Sequence, residues 1–116
     1  MKMKEVAIYL RVNRPTQIEL ELQENLCETF AETLGLEPYK VYRDVASGNT
    51  LEERPALMEL LEDVKKGYYE ALIVANPSRL TRKVLHYYEL MNFLEENGVE
   101  LYTLQDVIQG EGMHTL

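Results

Sequence analysis

The amino-acid sequence predicts a three-layer α/β domain, a mainly parallel sheet of four to five strands with helices on both faces. Two observations carry this fold class. Short apolar, β-branched runs alternate with longer stretches of helical periodicity, the pattern of strand–helix–strand crossovers, which are right-handed. The most apolar runs, residues 6–10 and 71–75, lack polar alternation and therefore suit strands buried on both faces of a parallel sheet. The chain has 116 residues, enough for one ordinary core.

Residues 6–10 form the first predicted strand. Thr16 and Glu19 then have the spacing of a capping box, and Ile18, Leu22, Leu26, Phe30 and Leu34 recur every four residues as the expected buried stripe of a helix that Gly35 stops. Residues 38–42 alternate as a second strand, with Tyr39, Val41 and Arg43 on one side. The small residues of the segment 44–50 predict a mobile loop.

Pro55 suits the first position of a second helix. Leu57, Leu60, Leu61 and Val64 are its apolar stripe, and Lys65, Lys66 and Gly67 close it. Residues 71–75 are the best candidate for a central strand, broken by Asn76 and Pro77. A third helix over about 84–96 ends at Asn97 and Gly98, and residues 99–104 make a fourth strand. The expected sheet order is 2-1-3-4, with a short fifth strand near Val107. No internal repeat or low-complexity segment is present.

Composition narrows the function. The formal net charge is −8, from 12 Lys+Arg against 20 Asp+Glu, so a broad cationic footprint for a polyanion is excluded and any nucleic-acid contact must be local. One cysteine, Cys27, can form no internal disulfide and no Cys-rich zinc site, which fits a reducing compartment. The longest apolar run is five residues, far short of the ~20 needed to span a bilayer, and the N-terminus lacks an apolar signal-peptide region. The expectation is a soluble, unprocessed cytoplasmic protein with no membrane partner.

In doubly wound sheets ligands bind beyond the carboxyl ends of the strands, where the winding reverses. Here those ends carry Arg11, Asn13 and Arg14 after the first strand, and Ser78, Arg79, Arg82 and Lys83 after the third. The chain has only six arginines, and three of them, Arg11, Arg79 and Arg82, converge if strands one and three are neighbours. A guanidinium stays charged and offers a planar fork of donors, so converging arginines suit a phosphate or a phosphoryl transition state. The competing reading is that they are solvated or paired with some of the 20 acids.

Over essentially its whole length the chain resembles the N-terminal catalytic domain of the serine recombinases, the resolvase and invertase family of site-specific DNA recombinases. Tyr9-Leu10-Arg11-Val12-Asn13 is similar to the family's Tyr-x-Arg-Val-Ser, and Leu20-Glu21-Leu22-Gln23 to its Leu-x-x-Gln. Asp44, Ser47-Gly48 and Arg54-Pro55 resemble its central loop and Arg-Pro turn. Ser78-Arg79-Leu80-Thr81-Arg82 is similar to Asp-Arg-Leu-x-Arg, and Asp106-Val107-Ile108 to the segment before the family's dimerisation helix. Each motif is weak alone, whereas five in order and spacing are specific.

The resemblance implies a three-layer resolvase-like domain over residues 1–116, with the dimerisation helix and DNA-binding domain lying beyond the chain. It implies a serine that attacks a DNA phosphodiester and forms a 5′-phosphoserine, without metal or cofactor. Arg11, Arg79 and Arg82 become the phosphate-binding arginines, Arg11, Asn13, Arg79 and Arg82 the catalytic positions, and Tyr9, Ser47, Arg54 and Ser78 their supports. The implied partners are DNA and other recombinase-type subunits.

Two departures fall at the centre of that chemistry. Asn13 stands where the family has its nucleophile, and Ser78 where the signature has its acid. An amide has no hydroxyl to deprotonate, so covalent catalysis through Asn13 has no chemical route and the domain is expected to be impaired. Thr16 already has a role as a helix cap and Ser78 reads mainly as a cap or turn serine before the third helix, while Ser47 is a turn former as much as a supporting serine. The alternative functions are a non-catalytic interaction or regulatory module of recombinase ancestry, or a small-anion or nucleotide binder at the same point. Cys27 reads as a packed thiol, and His86 and His114 lack metal-ligand spacing. The glutamates of the first helix read as a solvated face. Tyr87 and Tyr88, with Met91 and Leu94, read as a core or partner face unless exposed, in which case base stacking enters.

Overall fold

The computed structural model describes residues 5–13, 17–46 and 53–104. In chain order these form β1 (Val6–Val12), α1 (Gln17–Thr33), β2 (Pro38–Val45), α2 (Pro55–Lys65), β3 (Ala71–Val74), a 3-10 turn (Pro77–Arg79), α3 (Val84–Glu96) and β4 (Glu100–Thr103). All three strand pairings are parallel and the order is β2-β1-β3-β4, as the sequence predicts. Thr16, expected as the cap of α1, Arg14, the segment 47–50, His114 and the expected fifth strand near Val107 lie outside the described residues.

Alternation along β1 divides the core into two layers. Ala7 and Tyr9 face α2 and α3, where they pack with Leu57, Leu60, Leu90 and Leu94. Val6, Ile8 and Leu10 face the other way, onto Cys27, Phe30 and Ala31 of α1. Every residue of β1 and β3 is buried, which accounts for their lack of polar alternation. Gly35, Gly67 and Gly98 follow the three helices with φ of 72°, 81° and 70°, so each helix ends where a residue without Cβ admits the left-handed turn.

The stripe expected on α1 is corrected. Ile18, Leu22 and Leu26 are 77%, 58% and 48% exposed, and Leu34 is exposed as well; of the five, Phe30 alone is buried. The helix instead turns Gln23, Cys27, Phe30 and Ala31 inward. Small Cys27 and Ala31 let the helix lie close to the sheet, while Gln23 is drawn in by a polar partner on β1 described below. Burial, aided by Glu24 and Glu28, pushes the Cys27 thiol up to about 12, so it is a packed group at neutral pH. The acidic face is not wholly solvated either, since Glu24 bonds Arg43 of β2 at 2.6 Å.

Strand β2 also runs further than its alternation indicated, to Val45. Asp44 is therefore a buried strand residue and not the start of a loop. Its carboxylate accepts the backbone N–H groups of Ala56 and Leu57, both at 2.9 Å, and so caps α2 from a neighbouring element.

Candidate functional site: an arginine cluster at the switch point

Strand β3 pairs with β1 only over Val6–Ile8, whereas β2 accompanies β1 to Val12. The last residues of β1 thus project past β3 and open a crevice at the carboxyl end of the sheet. Alternation sends the Arg11 side chain to the same face as Ala7 and Tyr9. Beyond β3, Asn76 is extended, as a residue before proline prefers, and Pro77 starts the 3-10 turn that closes the crevice.

A short 3-10 turn leaves carbonyl groups without intrahelical donors. Here guanidinium groups supply them. Arg11, completely buried, donates from Nε to the Arg79 carbonyl at 3.0 Å and from Nη2 to the Ser78 carbonyl at 2.5 Å. Its Nη1 donates to the Ala46 carbonyl at 2.9 Å and to Asn13 Oδ1 at 2.7 Å. Arg54, also completely buried, donates from Nη1 to the carbonyls of Arg79, at 3.3 Å, and Leu80. Arg79 returns a bond from Nη1 to the Arg11 carbonyl at 2.9 Å, while its buried Nε has no hydrogen-bond partner among the described residues.

Gln23 completes the end of β1. Its Oε1 accepts the Arg11 N–H at 3.1 Å and its Nε2 donates to the Arg11 carbonyl at 3.2 Å. One side-chain amide thereby replaces the ladder partner that β3 no longer provides. Behind the cluster the Tyr9 hydroxyl donates to Asp44 Oδ2 at 2.8 Å. Burial first, then Asp44, raises the Tyr9 hydroxyl well above its ordinary value, with Arg54 acting in the opposite direction. Tyr9 is a neutral donor here.

The electrostatics favour an anion. The Arg11 guanidinium is lowered to about 10 by burial and by the neighbouring charges of Arg54, Arg79 and Arg82, with Tyr9 opposing. Among the described residues no carboxylate is hydrogen-bonded or ion-paired to Arg11, so like charges face one another across a crevice and a bound oxyanion would relieve them.

Of the positions singled out from sequence, the structure brings Tyr9, Arg11, Asn13, Arg54, Ser78 and Arg79 together. Arg82 is exposed at the rim, near enough for its charge to act on Arg11. Ser47 lies outside the described residues. The exposed Ser78 hydroxyl donates to Asn76 Oδ1 within the turn, and its carbonyl is what reaches Arg11. Asp44 and Gln23 matched family motifs, but their local roles were not read from sequence; a polar residue inside an apolar helix face was the available signal for Gln23.

Residues 6–115 match the family described as Resolvase, N terminal domain. The chain belongs to this resolvase family. It is 31% identical over 97 residues, 83% of its length, to a protein of Bacillus subtilis named as a DNA recombinase. It is 32% identical over 76 residues, 66% of its length, to a protein of Sinorhizobium fredii named as a DNA-invertase. The chain spans 19% and 24% of the lengths of these two relatives.

Solved resolvase-type structures give the same picture. The N-terminal catalytic domain of TP901-1 integrase superposes with a TM-score of 0.81 at 29% identity, covering 89% of this chain and 79% of that one. A resolvase family site-specific recombinase from Streptococcus pneumoniae has a TM-score of 0.76 at 28% identity, covering 90% and 74%. Among the described residues no helix is long and apolar enough to cross a membrane, and no group of three His, Cys, Asp or Glu is placed to hold a metal ion.

Proposed function

We propose that residues 1–116 form a serine-recombinase-type catalytic unit whose arginine cluster receives a DNA phosphodiester, and that its covalent chemistry is impaired at residue 13. The observation that carries this is the 2.7 Å contact between Asn13 Oδ1 and Arg11 Nη1. It puts the side chain of residue 13 against the buried cation, where an attacking hydroxyl would sit, and the group there is an amide oxygen that accepts a hydrogen bond and carries no proton to lose. Arg79 Nε, buried and without a partner among the described residues, is a donor suited to a phosphate oxygen, and Arg82 adds charge at the rim. Membership of the resolvase family supports DNA and other recombinase subunits as partners.

The test has two readouts. On incubation with supercoiled DNA and analysis on a denaturing gel, the chain is expected to give no covalent adduct. An adduct that persists in Thr16→Ala but vanishes in Ser78→Ala would overturn the assignment of impairment. In a salt titration of DNA binding, Arg79→Gln is expected to reduce the slope of log K against log salt by about one phosphate contact. An unchanged slope would remove the cluster as a phosphate site.

A second reading, an interaction module acting on another recombinase subunit, is favoured by the exposed Ile18, Leu22 and Leu26 of α1. Co-purification with a full-length resolvase-type protein, lost in Leu22→Glu, is its expected result. A strictly monomeric species that retains no such subunit would count against it.

A further inference from the structure

Beside the arginine cluster, the 3-10 turn and the first two turns of α3 wall a second cleft of about 550 Å3, within the ~300–1,000 Å3 usual for ligand sites. Its chemistry inverts that of the chain as a whole. Arg82 and Lys83 stand on its rim and, among the described residues, no carboxylate lines it, although the net charge is −8. Its walls include Val84, Tyr87 and Tyr88. The two tyrosine rings lie edge to face, with centroids 6.1 Å apart at 71°.

Tyr88 is 62% exposed and Val84 69%, so this face of α3 is not spent on the core. Exposed aromatic faces beside cations are the means by which proteins hold unpaired nucleotides: the ring stacks on a base and the cation meets the phosphate. An apolar peptide would have no use for the two cations. Contiguity points the same way, because Ser78 lines this cleft while its carbonyl holds Arg11 of the neighbouring cluster.

We infer that the cleft between Ser78 and Tyr88 is a subsite for one unpaired nucleotide of a DNA strand, its base against Tyr88 and Tyr87 and its phosphate at Arg82 and Lys83. The inference rests on the proposed phosphodiester site and adds to it a preference for single-stranded over fully paired DNA. A local basic, aromatic cleft accommodates a DNA strand on a chain whose overall charge repels DNA.

The test is photocrosslinking of the chain to a short oligothymidylate carrying one 5-iodouracil, with a blunt duplex of the same sequence as comparison. Crosslinks are expected on Tyr87 or Tyr88, in higher yield from the single strand, with a yield about tenfold lower in Tyr88→Ala, the scale of one lost base stack. Tyr88→Leu, which keeps an apolar side chain on the helix, should show the same loss, separating stacking from folding. Crosslinks that map only to other residues, with both variants unaffected, would overturn the subsite and leave the phosphodiester reading standing. Absence of crosslinks from both single and double strands would overturn both. Displacement by an acidic peptide as readily as by unlabelled oligothymidylate would replace the nucleotide with a protein ligand and also overturn the inference.

Discussion

Arg11→Ala is expected to lower the unfolding free energy by about 3 kcal/mol, the scale of a broken buried polar network. The substitution removes four hydrogen bonds to described residues at once and leaves the carbonyls of Ala46 and Ser78 facing the space the guanidinium filled, while that of Arg79 keeps the 3.3 Å bond from Arg54. Each buried acceptor left without a donor costs about 1–3 kcal/mol, and the void adds to that. The full sum overshoots, because deletion also relieves the repulsion from Arg54, Arg79 and Arg82 that lowers Arg11 to about 10. Arg11→Met separates the contributions: it restores the packing of the stem but none of the donors, and should remain destabilised by about 2 kcal/mol. Urea unfolding with an unchanged m value measures both. Parent-like stability of the methionine variant would show that the carbonyls do not need the cation.

Asp44→Ala is expected to cost about 2–4 kcal/mol. The carboxylate satisfies the N–H groups of Ala56 and Leu57, a cap of the kind that contributes about 0.5–2 kcal/mol, and it also accepts the buried Tyr9 hydroxyl. Asparagine is a poor replacement: its single oxygen serves one or two of these donors and its NH2 confronts another. Amide hydrogen exchange gives the local readout, with Ala56 and Leu57 losing protection in either variant. Because Arg54 immediately precedes α2, the same substitution should loosen the arginine cluster, and on the proposed phosphodiester reading it should weaken DNA binding without a change at the arginines themselves. Unaltered exchange at Ala56 would place the cap elsewhere.

The sheet was legible because its strands are short, apolar and separated by helices with clear stop signals, and three of those signals are glycines that take positive φ. The start of α2 at Pro55 and the whole span of α3 were readable for the same reason. The face of α1 was not. A four-residue spacing of Ile18, Leu22 and Leu26 is a strong apolar signal, but the inward face was decided by residues that score weakly on hydrophobicity, small Cys27 and Ala31 and polar Gln23. Helix-to-sheet packing rewards close approach as well as apolar area.

At the site, the convergence of Arg11 with Arg79 followed from topology, since both leave neighbouring strands at the same end. The condition of each arginine did not. Arg11 and Arg54 are buried and hold carbonyls, Arg79 keeps a donor without a described partner, and Arg82 is exposed. One residue type thus divides into framework and rim according to which backbone oxygens lie within reach, a property of the folded turn at Pro77–Arg79 that no linear motif contains.

Among the described residues, three of the four atoms that accept from the Arg11 side chain are main-chain oxygens, which no side-chain replacement can delete. The framework around residue 13 therefore tolerates a change of identity there. Asparagine and serine codons differ at a single base, so the amide at Asn13 stands one point mutation from a hydroxyl. The turn facing that position is held through backbone oxygens that the exchange does not touch, so Asn13→Ser is expected to keep the stability of the fold.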